Sequence, residues 1–327
     1  MLRLIRLSLL LPLWLTGCAN MQPAQSPDLV LQESHLFGVT VLAFDPDGKR
    51  IASGGFQGDV AIWRVPDGSP LMHGRWHPDA VRGLHWVEPE RLLSASENGR
   101  LVLSDSPSGH VIRQRETPEG LTSTAYLAAS RTLVAGYRDG RLRQFSYPAL
   151  EPVAELEVGS AVVALASDHA GSRLAVSTGD QRVLVTDAGL SQPRPLASPP
   201  RTALTLRFSP DGRQLGAGAW YELFYWDLES GELRTQATEH WGAVTAIDFD
   251  PRGKRLVSLG RHTDASLRLV QVTDGQVLRR LQAHRLCGAA VRFSPDGRFV
   301  ASGSDDESIR LYNLAKPYLP VSPRHHW

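Results

Sequence analysis

The sequence predicts an all-β protein built from one repeated, four-stranded antiparallel sheet. Two observations predict this class: one phrase recurs four times, and the segments that contain it begin at nearly regular intervals. Each copy has an aromatic residue that ends a strand, a turn of the Pro-Asp-Gly type, a basic residue and an alternating apolar strand. Proline sets the φ angle of a turn and glycine accepts a positive φ, so the phrase has the chemistry of a hairpin. The copies are FDPDGKRIASGG (44–55), FSPDGRQLGAGA (208–219), FDPRGKRLVSLG (249–260) and FSPDGRFVASGS (293–304).

Seven such repeats account for most of the chain. In four of them a histidine stands nine positions before the strand-ending aromatic residue, and three weaker copies fill the gap between them. The repeats begin at His35, His77, Thr117, Val158, Pro199, His240 and His284. Successive starts are 40 to 44 residues apart, a period typical of units that must stack on one another to bury their apolar faces.

This period, with four short strands in each repeat, resembles the WD-repeat (WD40) family. The ends of the third strands support the resemblance, although only Trp226-Asp227 keeps the Trp-Asp pair. Those ends are VAIWRV (60–65), LFYWDL (223–228) and IRLYNL (309–314). The resemblance covers residues 29–315 and implies a seven-bladed β-propeller of four-stranded antiparallel blades.

In the WD-repeat family a histidine, a second-strand serine, a turn aspartate and the third-strand tryptophan form a hydrogen-bonded set that locks a blade. Most sets are expected to be incomplete in this chain. Gln57 replaces the aspartate of blade 1, Val270 replaces the tryptophan of blade 6, and blade 5 has Ala217 and Trp220 where the serine and aspartate belong. The resemblance implies a locking role for His35, Ser53 and Trp63 in blade 1, for His240, Ser258 and Asp264 in blade 6, and for His284, Ser302, Asp306 and Tyr312 in blade 7.

The two ends of the propeller are expected to join. After Leu314 the chain continues as AKPYLPVSPRHHW, whose prolines are incompatible with a paired strand. The last blade therefore lacks its outer strand, and residues 316–327 are predicted to form a tail. The segment LVLQESH (29–35) matches the outer strand that leads into the last repeat, so we predict that residues 29–34 pair with blade 7 and close the ring.

The N-terminus has the pattern of an export signal. Arg3 and Arg6 precede the apolar run Leu7–Leu15, and nine residues are far fewer than the roughly 20 that a transmembrane helix requires. The following Leu15-Thr16-Gly17-Cys18 resembles the lipobox of bacterial lipoproteins. That resemblance implies cleavage after residue 17 and acylation of Cys18 with diacylglycerol and a further acyl chain such as palmitate. An internal apolar helix, or a chance cysteine beside an ordinary cleavage site, are the alternatives.

The residues after Cys18 predict the location of the folded part. Residues 18–28 are polar, contain two prolines and read as a flexible tether. Ala19 stands where an aspartate would resemble an inner-membrane retention signal, so the outer membrane, facing the periplasm, is expected. With Cys18 acylated, Cys287 has no partner in the chain, and no intrachain disulfide is expected.

Charge and motifs limit the chemistry. The formal net charge is +1 and the basic residues are dispersed, which argues against nucleic-acid binding. We find no Gly-x-Ser-x-Gly elbow, phosphate-binding loop or metal-spaced His/Glu motif, so no cofactor, metal or catalytic residue is predicted. Metal binding is the alternative for His325-His326, but no cysteine or acidic partner lies nearby, so the pair is interpreted as part of a disordered basic tail. An enzymatic function is kept as an alternative, because propeller hydrolases distribute catalytic groups over several blades.

The expected top face offers candidates for binding. In this family the top face comprises the loops before the first strand and between the second and third strands, and Trp, Tyr and Arg dominate binding hot spots. We predict a protein-binding patch over blades 5 and 6, centred on Trp220 and Trp241; the alternative is that these rings fold inward between blades. The candidates are Phe37, Phe56, Arg138, Trp220, Tyr221, Trp241, His262, Arg285 and Asp305.

These observations predict a monomeric, lipid-anchored protein of the cell envelope that acts as a non-catalytic scaffold for other proteins, for example in envelope or outer-membrane assembly. Two alternatives remain. One is an envelope enzyme of the hydrolase or lactonase type with catalytic groups at the central channel. The other is a propeller that recognises a glycan or small ligand, because exposed tryptophans also stack on sugars.

Overall fold

The structure, a computed structural model, describes residues 24–32, 34–261 and 264–317. Over these residues the chain forms 28 strands in seven four-stranded antiparallel sheets. The first strand of each repeat lies next to the first strands of the two neighbouring repeats, which arranges the sheets as blades around an axis. The predicted seven-bladed β-propeller is confirmed. No helix in the described part of the chain is long and apolar enough to cross a membrane.

Each blade except the last takes its strands from one continuous segment. The N-terminal strand is β1 (Leu29–Leu31). Blade 1 contains β2 (Val39–Phe44), β3 (Arg50–Gly55), β4 (Asp59–Arg64) and β5 (Pro70–Arg75). Blade 2 contains β6 (Val81–Glu88), β7 (Arg91–Ser96), β8 (Leu101–Asp105) and β9 (Val111–Arg115). Blade 3 contains β10 (Leu121–Leu127), β11 (Thr132–Tyr137), β12 (Arg141–Ser146) and β13 (Pro152–Glu157). Blade 4 contains β14 (Val162–Ser167), β15 (Arg173–Thr178), β16 (Val183–Asp187) and β17 (Arg194–Pro195).

The remaining blades follow the same order. Blade 5 contains β18 (Thr205–Phe208), β19 (Gln214–Gly218), β20 (Glu222–Asp227) and β21 (Leu233–Ala237). Blade 6 contains β22 (Ala243–Phe249), β23 (Arg255–Arg261), β24 (Leu267–Gln271) and β25 (Val277–Leu281). Blade 7 contains β26 (Gly288–Phe293), β27 (Phe299–Ser304) and β28 (Ile309–Asn313), with β1 as its outer strand.

The hydrophobic core lies between the blades. One buried cluster joins Val39 and Leu42 of blade 1 to Phe299 and Leu311 of blade 7. The second strands are buried on both faces, as in the run from Ile51 to Gly55. Because each sheet covers the next, burial of apolar surface holds the ring together, as packing of sheet on sheet requires.

The repeated phrase also connects neighbouring blades. In blade 1 the carboxylate of Asp45 accepts hydrogen bonds from the backbone N–H of Lys49 at 2.8 Å and from Arg50 Nε at 2.8 Å. This fixes the Arg50 guanidinium 4.6 Å from the centre of the Trp86 ring in blade 2. Arg173 and Arg255 repeat the arrangement on the aromatic residues of blades 5 and 7. Each such cation–π contact contributes about 0.5–2 kcal/mol, so the basic and aromatic positions of the phrase serve as a joint between blades.

The ring closes as predicted. Strand β1 pairs antiparallel with β28, with Leu29 opposite Leu311. The preceding residues are bonded as well: Gln25 N–H donates to the carbonyl of Arg280 at 2.7 Å, and Asp28 accepts from Asn313 N–H at 2.6 Å. Residues 24–28, which the sequence analysis assigned to the tether, are thus held against blades 6 and 7. The signal segment, Cys18 and the end of the tail lie outside the described residues.

Candidate functional site

The lock of blade 1 is complete, contrary to the sequence expectation. His35 Nδ1 bonds the carboxylate of Asp59, His35 Nε2 lies 2.6 Å from Ser53 Oγ, and Trp63 Nε1–H donates to the same oxygen at 2.8 Å. The expectation that Gln57 leaves this set without its acid was wrong, because the acid is Asp59, at the start of the third strand. Gly55 leaves the necessary room: a Cβ there would lie 2.7 Å from His35 Nδ1.

Blades 6 and 7 have the histidine, serine and aspartate of the lock without the tryptophan. His240 Nδ1 lies 3.0 Å from Asp264 Oδ2, and its Nε2 lies 2.8 Å from Ser258 Oγ. His284 repeats the pattern with Asp306 at 3.2 Å and Ser302 at 2.7 Å. At the tryptophan position, blade 6 has Val270, which adds no polar group. Blade 7 has Tyr312, whose hydroxyl donates to the backbone carbonyl of Gln282 at 2.8 Å.

Burial and hydrogen bonding set the charges of these locks. Burial lowers the pKa of His240 and His284 below the usual range, so both rings are neutral at pH 7. For Asp264 and Asp306, burial alone would raise the pKa, but hydrogen bonds from the histidine and a nearby serine hold the pKa well below its usual range. Each carboxylate is therefore ionised and accepts hydrogen bonds from a neutral ring.

The other blades substitute different polar contacts. His77 in blade 2 bonds Ser94 Oγ at 2.7 Å through Nε2, and its Nδ1 has no hydrogen-bond partner among the described residues. In blade 3 a threonine takes the histidine position and bonds the Tyr137 hydroxyl at 2.7 Å. In blade 5, Trp226 Nε1–H donates to the backbone carbonyl of Ala197 at 2.8 Å. The four-stranded blade is thus kept although the polar side chains that stabilise it differ from blade to blade.

The lock aspartates also orient the top face. Asp264 Oδ2 accepts the backbone N–H of Trp241 at 3.0 Å, and Asp306 Oδ2 accepts that of Arg285 at 2.8 Å. Trp241 and Arg285 each follow the lock histidine directly in the sequence. The bonds that stabilise a blade therefore also fix the peptide that carries an exposed side chain.

Four aromatic candidates of the top face are exposed. The exposed fraction of the side chain surface is 80% for Trp241, 63% for Phe37, 48% for Tyr221 and 39% for Trp220. The rings of Trp220 and Tyr221 lie 5.9 Å apart between centroids. Trp241 does not fold inward between blades, and Trp220 is only partly covered.

Backbone strain marks two of these residues. Phe37 and Tyr221 both have a φ of 66°, a left-handed conformation that costs an L-residue roughly 1–2 kcal/mol. At Tyr221 this conformation follows the repeat, because Gly58, Gly99 and Gly140 have a positive φ at the same turn before the third strand. The strained backbone at Phe37 is supported by a hydrogen bond from its N–H to Glu307 Oε1 at 3.0 Å.

Two exposed leucines that the sequence analysis missed extend the surface. Leu36 follows the lock histidine of blade 1, as Trp241 does in blade 6, and Leu286 follows Arg285 in blade 7. The position after the histidine would have identified Leu36. We define the apolar half-face, on loops of the consecutive blades 5, 6, 7 and 1, as Leu36, Phe37, Trp220, Tyr221, Trp241 and Leu286.

The other candidates have different surroundings. Arg138 lies on blade 3 and forms an ion pair with Glu97, which also binds Arg82 at 2.6 Å. Phe56 is only partly exposed, and Asp305 pairs with Arg261 at 3.4 Å. Arg138 therefore belongs to a charged region away from the apolar half-face. His262 lies outside the described residues.

The central channel contains charged side chains that the sequence analysis also missed. They occupy one position of the repeat, immediately before the position of the strand-ending aromatic residue. That position is Ala43, His85, Ala125, Ala166, Arg207, Asp248 and Arg292 in blades 1 to 7. Aligning the seven repeats would have revealed this column of the repeat.

The geometry of the channel charges is specific. Arg207 Nε lies 3.5 Å from Asp248 Oδ1, while Asp248 Oδ2 accepts the backbone N–H of Phe293 at 2.7 Å. His85 Nε2 lies 2.8 Å from Thr124 Oγ1. His85, Asp248 and Arg292 line a cavity of about 800 Å³ that opens among the Pro-containing turns and the strand-ending aromatic residues.

Comparisons with known proteins agree with this architecture. The family model described as "WD domain, G-beta repeat" matches residues 28–64 and 275–313. A chain from the solved structure "Crystal Structure of Mitotic Checkpoint Complex" superimposes with a TM-score of 0.79 at 18% identity, over 96% of this chain and 99% of that chain.

Curated relatives are distant. The chain is 22% identical to Periodic tryptophan protein 2 of Arabidopsis thaliana over 94% of its own length and 33% of that protein. It is 23% identical to the WD repeat-containing protein WDS homolog of the same plant, over 93% of this chain and 61% of that protein. It is also 23% identical to Telomerase protein component 1 of Mus musculus, over 85% of this chain and 9% of that protein. The chain thus spans a third or less of the first and third of these relatives. It is a seven-bladed β-propeller whose first and last blades match the WD40 repeat.

Proposed function

We propose that this chain is a lipid-anchored, non-catalytic platform of the cell envelope that binds other proteins through the apolar half-face. The observation that carries the proposal is the exposure of Trp241 on a peptide fixed by Asp264. Tryptophan and tyrosine side chains bury roughly 150–250 Å² each when a partner covers them. Because the hydrogen bond to Asp264 already fixes the backbone that carries Trp241, less ordering is needed on binding, which favours affinity.

The exposed rings of Phe37 and Tyr221 support the same use of this face. The left-handed backbone at Tyr221 is the turn conformation of the repeat, and the feature specific to this blade is a large aromatic side chain at that position. A partner that covers the rings would supply apolar burial. The propeller that superimposes on this chain belongs to a mitotic checkpoint complex, and its presence in an assembly is consistent with a protein partner here.

The anchor is supported by the sequence around Cys18. Leu15-Thr16-Gly17-Cys18 resembles a lipobox, and two or three acyl chains hold a protein stably on a bilayer. Because Gln25 is hydrogen-bonded to the propeller, the about seven residues from Cys18 to Ala24 span at most about 25 Å. The propeller would therefore stay close to the membrane, with the outer membrane as the proposed location.

The platform is tested by truncating the tryptophans at the centre of the apolar half-face. In cells treated with a crosslinker, Trp220→Ala/Trp241→Ala is expected to reduce capture of the partner at least about tenfold, since hot-spot residues cost 2 kcal/mol or more on truncation. The matched control is Ile112→Ala/Val153→Ala, which removes exposed apolar side chains from the outer strands of blades 2 and 3. It should capture the same proteins as the wild type.

Circular dichroism and thermal melting establish that both double variants are folded. A folded Trp220→Ala/Trp241→Ala variant that captures every wild-type partner would refute the proposed surface. Equal losses in both double variants would refute it as well, because the effect would then be independent of the top face.

A further inference from the structure

The channel carries more positive than negative charge at one level. We define the charged ring as His85, Arg207, Asp248 and Arg292, the polar members of the repeat position described above. Three of them come from the consecutive blades 5, 6 and 7. Blades 1, 3 and 4 have alanine at this level, which leaves the channel open opposite the two arginines.

Asp248 is the single carboxylate facing two guanidinium groups, and its ion-pair contact within 4.0 Å is with Arg207. Its Oδ1 faces Arg207 at 3.5 Å, and its Oδ2 is occupied by the backbone N–H of Phe293. Arg292 Nη1 donates to the carbonyl of Val291 at 2.7 Å, and within the described ranges no carboxylate oxygen lies within 4.0 Å of its nitrogen atoms. Most of the planar donor fork of Arg292 is therefore available to a ligand.

The electrostatic environment agrees with two cations that share one carboxylate. Burial and repulsion by Arg207 lower the pKa of Arg292 to about 9. Burial, followed by repulsion from Arg292 and Arg207, lowers the pKa of His85 to about 3, so this ring is neutral at pH 7. Attraction from Arg292 and Arg207 opposes the rise in the pKa of Asp248 that burial causes. An anion at this level would relieve the repulsion between the arginines.

The space at the ring suits a small molecule. A cavity of about 800 Å³ lies on the side of the strand-ending aromatic residues, and one of about 250 Å³ lies on the other side. Both are lined by His85 and Arg292. Ligand sites in proteins typically have volumes of about 300–1,000 Å³ with a few convergent polar groups.

We propose that the central channel binds a small oxyanion, with carboxylate or phosphate oxygens, through the guanidinium of Arg292 assisted by Arg207. The planar fork of an arginine matches two oxygens of a carboxylate or phosphate. Asp248 limits the affinity, because it repels the anion and competes for Arg207. The site is independent of the apolar half-face, so the channel could bind its ligand whether or not a protein partner is present.

Isothermal titration calorimetry of the purified full chain with sodium phosphate and with sodium citrate, at pH 7 and constant ionic strength, tests the site. We expect saturable binding of at least one of the two anions. The anion that binds with the higher affinity shows whether the site prefers phosphate or carboxylate oxygens. Arg292→Gln should weaken it at least about tenfold, since bidentate, charge-assisted hydrogen bonds are the strong ones. Asp248→Asn, which can still accept the N–H of Phe293, should strengthen it several-fold.

Arg213→Gln is the matched control, because it removes an arginine from an exposed turn of the same repeated phrase and should leave the affinity unchanged. If circular dichroism shows that Arg292→Gln is unfolded, Arg207→Gln and Asp248→Asn replace it in the test. Arg207→Gln should weaken anion binding and Asp248→Asn should strengthen it. No saturable heat from the wild type with either anion would overturn the proposal. Equal affinities of the wild type and Arg292→Gln, or weaker binding by Asp248→Asn, would also overturn it.

Discussion

At the residue scale, the hydrogen bonds of the locks both stabilise a blade and position the residues of the top face. In blades 6 and 7 one carboxylate accepts a hydrogen bond from a buried histidine and another from the next peptide N–H, which belongs to Trp241 or Arg285. The side chains of the top face are therefore positioned by bonds within the blade. Substitutions that weaken the lock are expected to disturb the surface as well.

The histidine of blade 2 gives a pH prediction with a defined sign. Burial lowers the pKa of His77 from 6.5 to about 3. Between these two values the unfolded chain binds a proton that the folded blade does not, so the free energy of unfolding falls as the pH is lowered. At pH 5 this histidine should cost about 2 kcal/mol relative to pH 7, at about 1.4 kcal/mol per pH unit below 6.5.

The prediction is measured by urea unfolding at pH 7 and pH 5. His77→Gln should lose about 2 kcal/mol less than the wild type between the two pH values. His110→Gln, at an exposed site, is the control and should lose as much as the wild type. Identical losses in the wild type and His77→Gln would contradict the assignment.

At the element scale, β1 is the closing element of the ring. Leu29 and Leu31 pack against the cluster between blades 7 and 1, which includes Phe299 and Leu311. Without β1 the outer edge of β28 would be unpaired, and unpaired edges favour association with other chains. The same short strand thus protects an edge and covers the joint between the first and last blades.

Removal of β1 should destabilise the whole ring. Deletion of residues 19–34 removes the ladder with β28 and the burial of two leucines, a loss on the order of 5 kcal/mol. For a chain of this size we expect the Tm to fall by roughly 5–10 °C. Deletion of residues 19–23 alone leaves every described hydrogen bond in place and should melt like the full chain. A Tm unchanged by the longer deletion would refute the closing role of β1.

At the scale of the whole molecule, the proposed anchor determines where the propeller acts. Gln25 and Asp28 attach the N-terminal segment at the outer edge between blades 6 and 7. An anchor at Cys18 would therefore hold this edge near the bilayer. The short tether would restrict the partners of the apolar half-face to proteins in or near the membrane.

Membrane fractionation tests the anchor. Cys18→Ala should move the protein from the membrane fraction to the supernatant, because both acyl attachment points depend on that cysteine. Cys287→Ala, which removes the other cysteine at a half-buried site, should leave the protein with the membranes. Continued sedimentation of Cys18→Ala with membranes would contradict the anchor.

The sequence by itself determined the number of blades, their strand order and the closure of the ring, because these depend on local chemistry. Pro-Asp-Gly turns impose hairpins, alternating apolar residues impose sheets, and the regular spacing from His35 to His284 counts the units. The histidine and serine positions of the locks followed from the same register.

Only the tertiary structure decided which acid completes blade 1, which rings face water and which charges meet in the channel. Asp59 lies two residues beyond the family position, and its contact with His35 depends on the space that Gly55 leaves. Asp248 and Arg292 are more than forty residues apart, but they face one channel because the inner strands of neighbouring blades lie side by side. A periodic sequence specifies the repeating unit, whereas a site between units exists only after the units are packed around an axis.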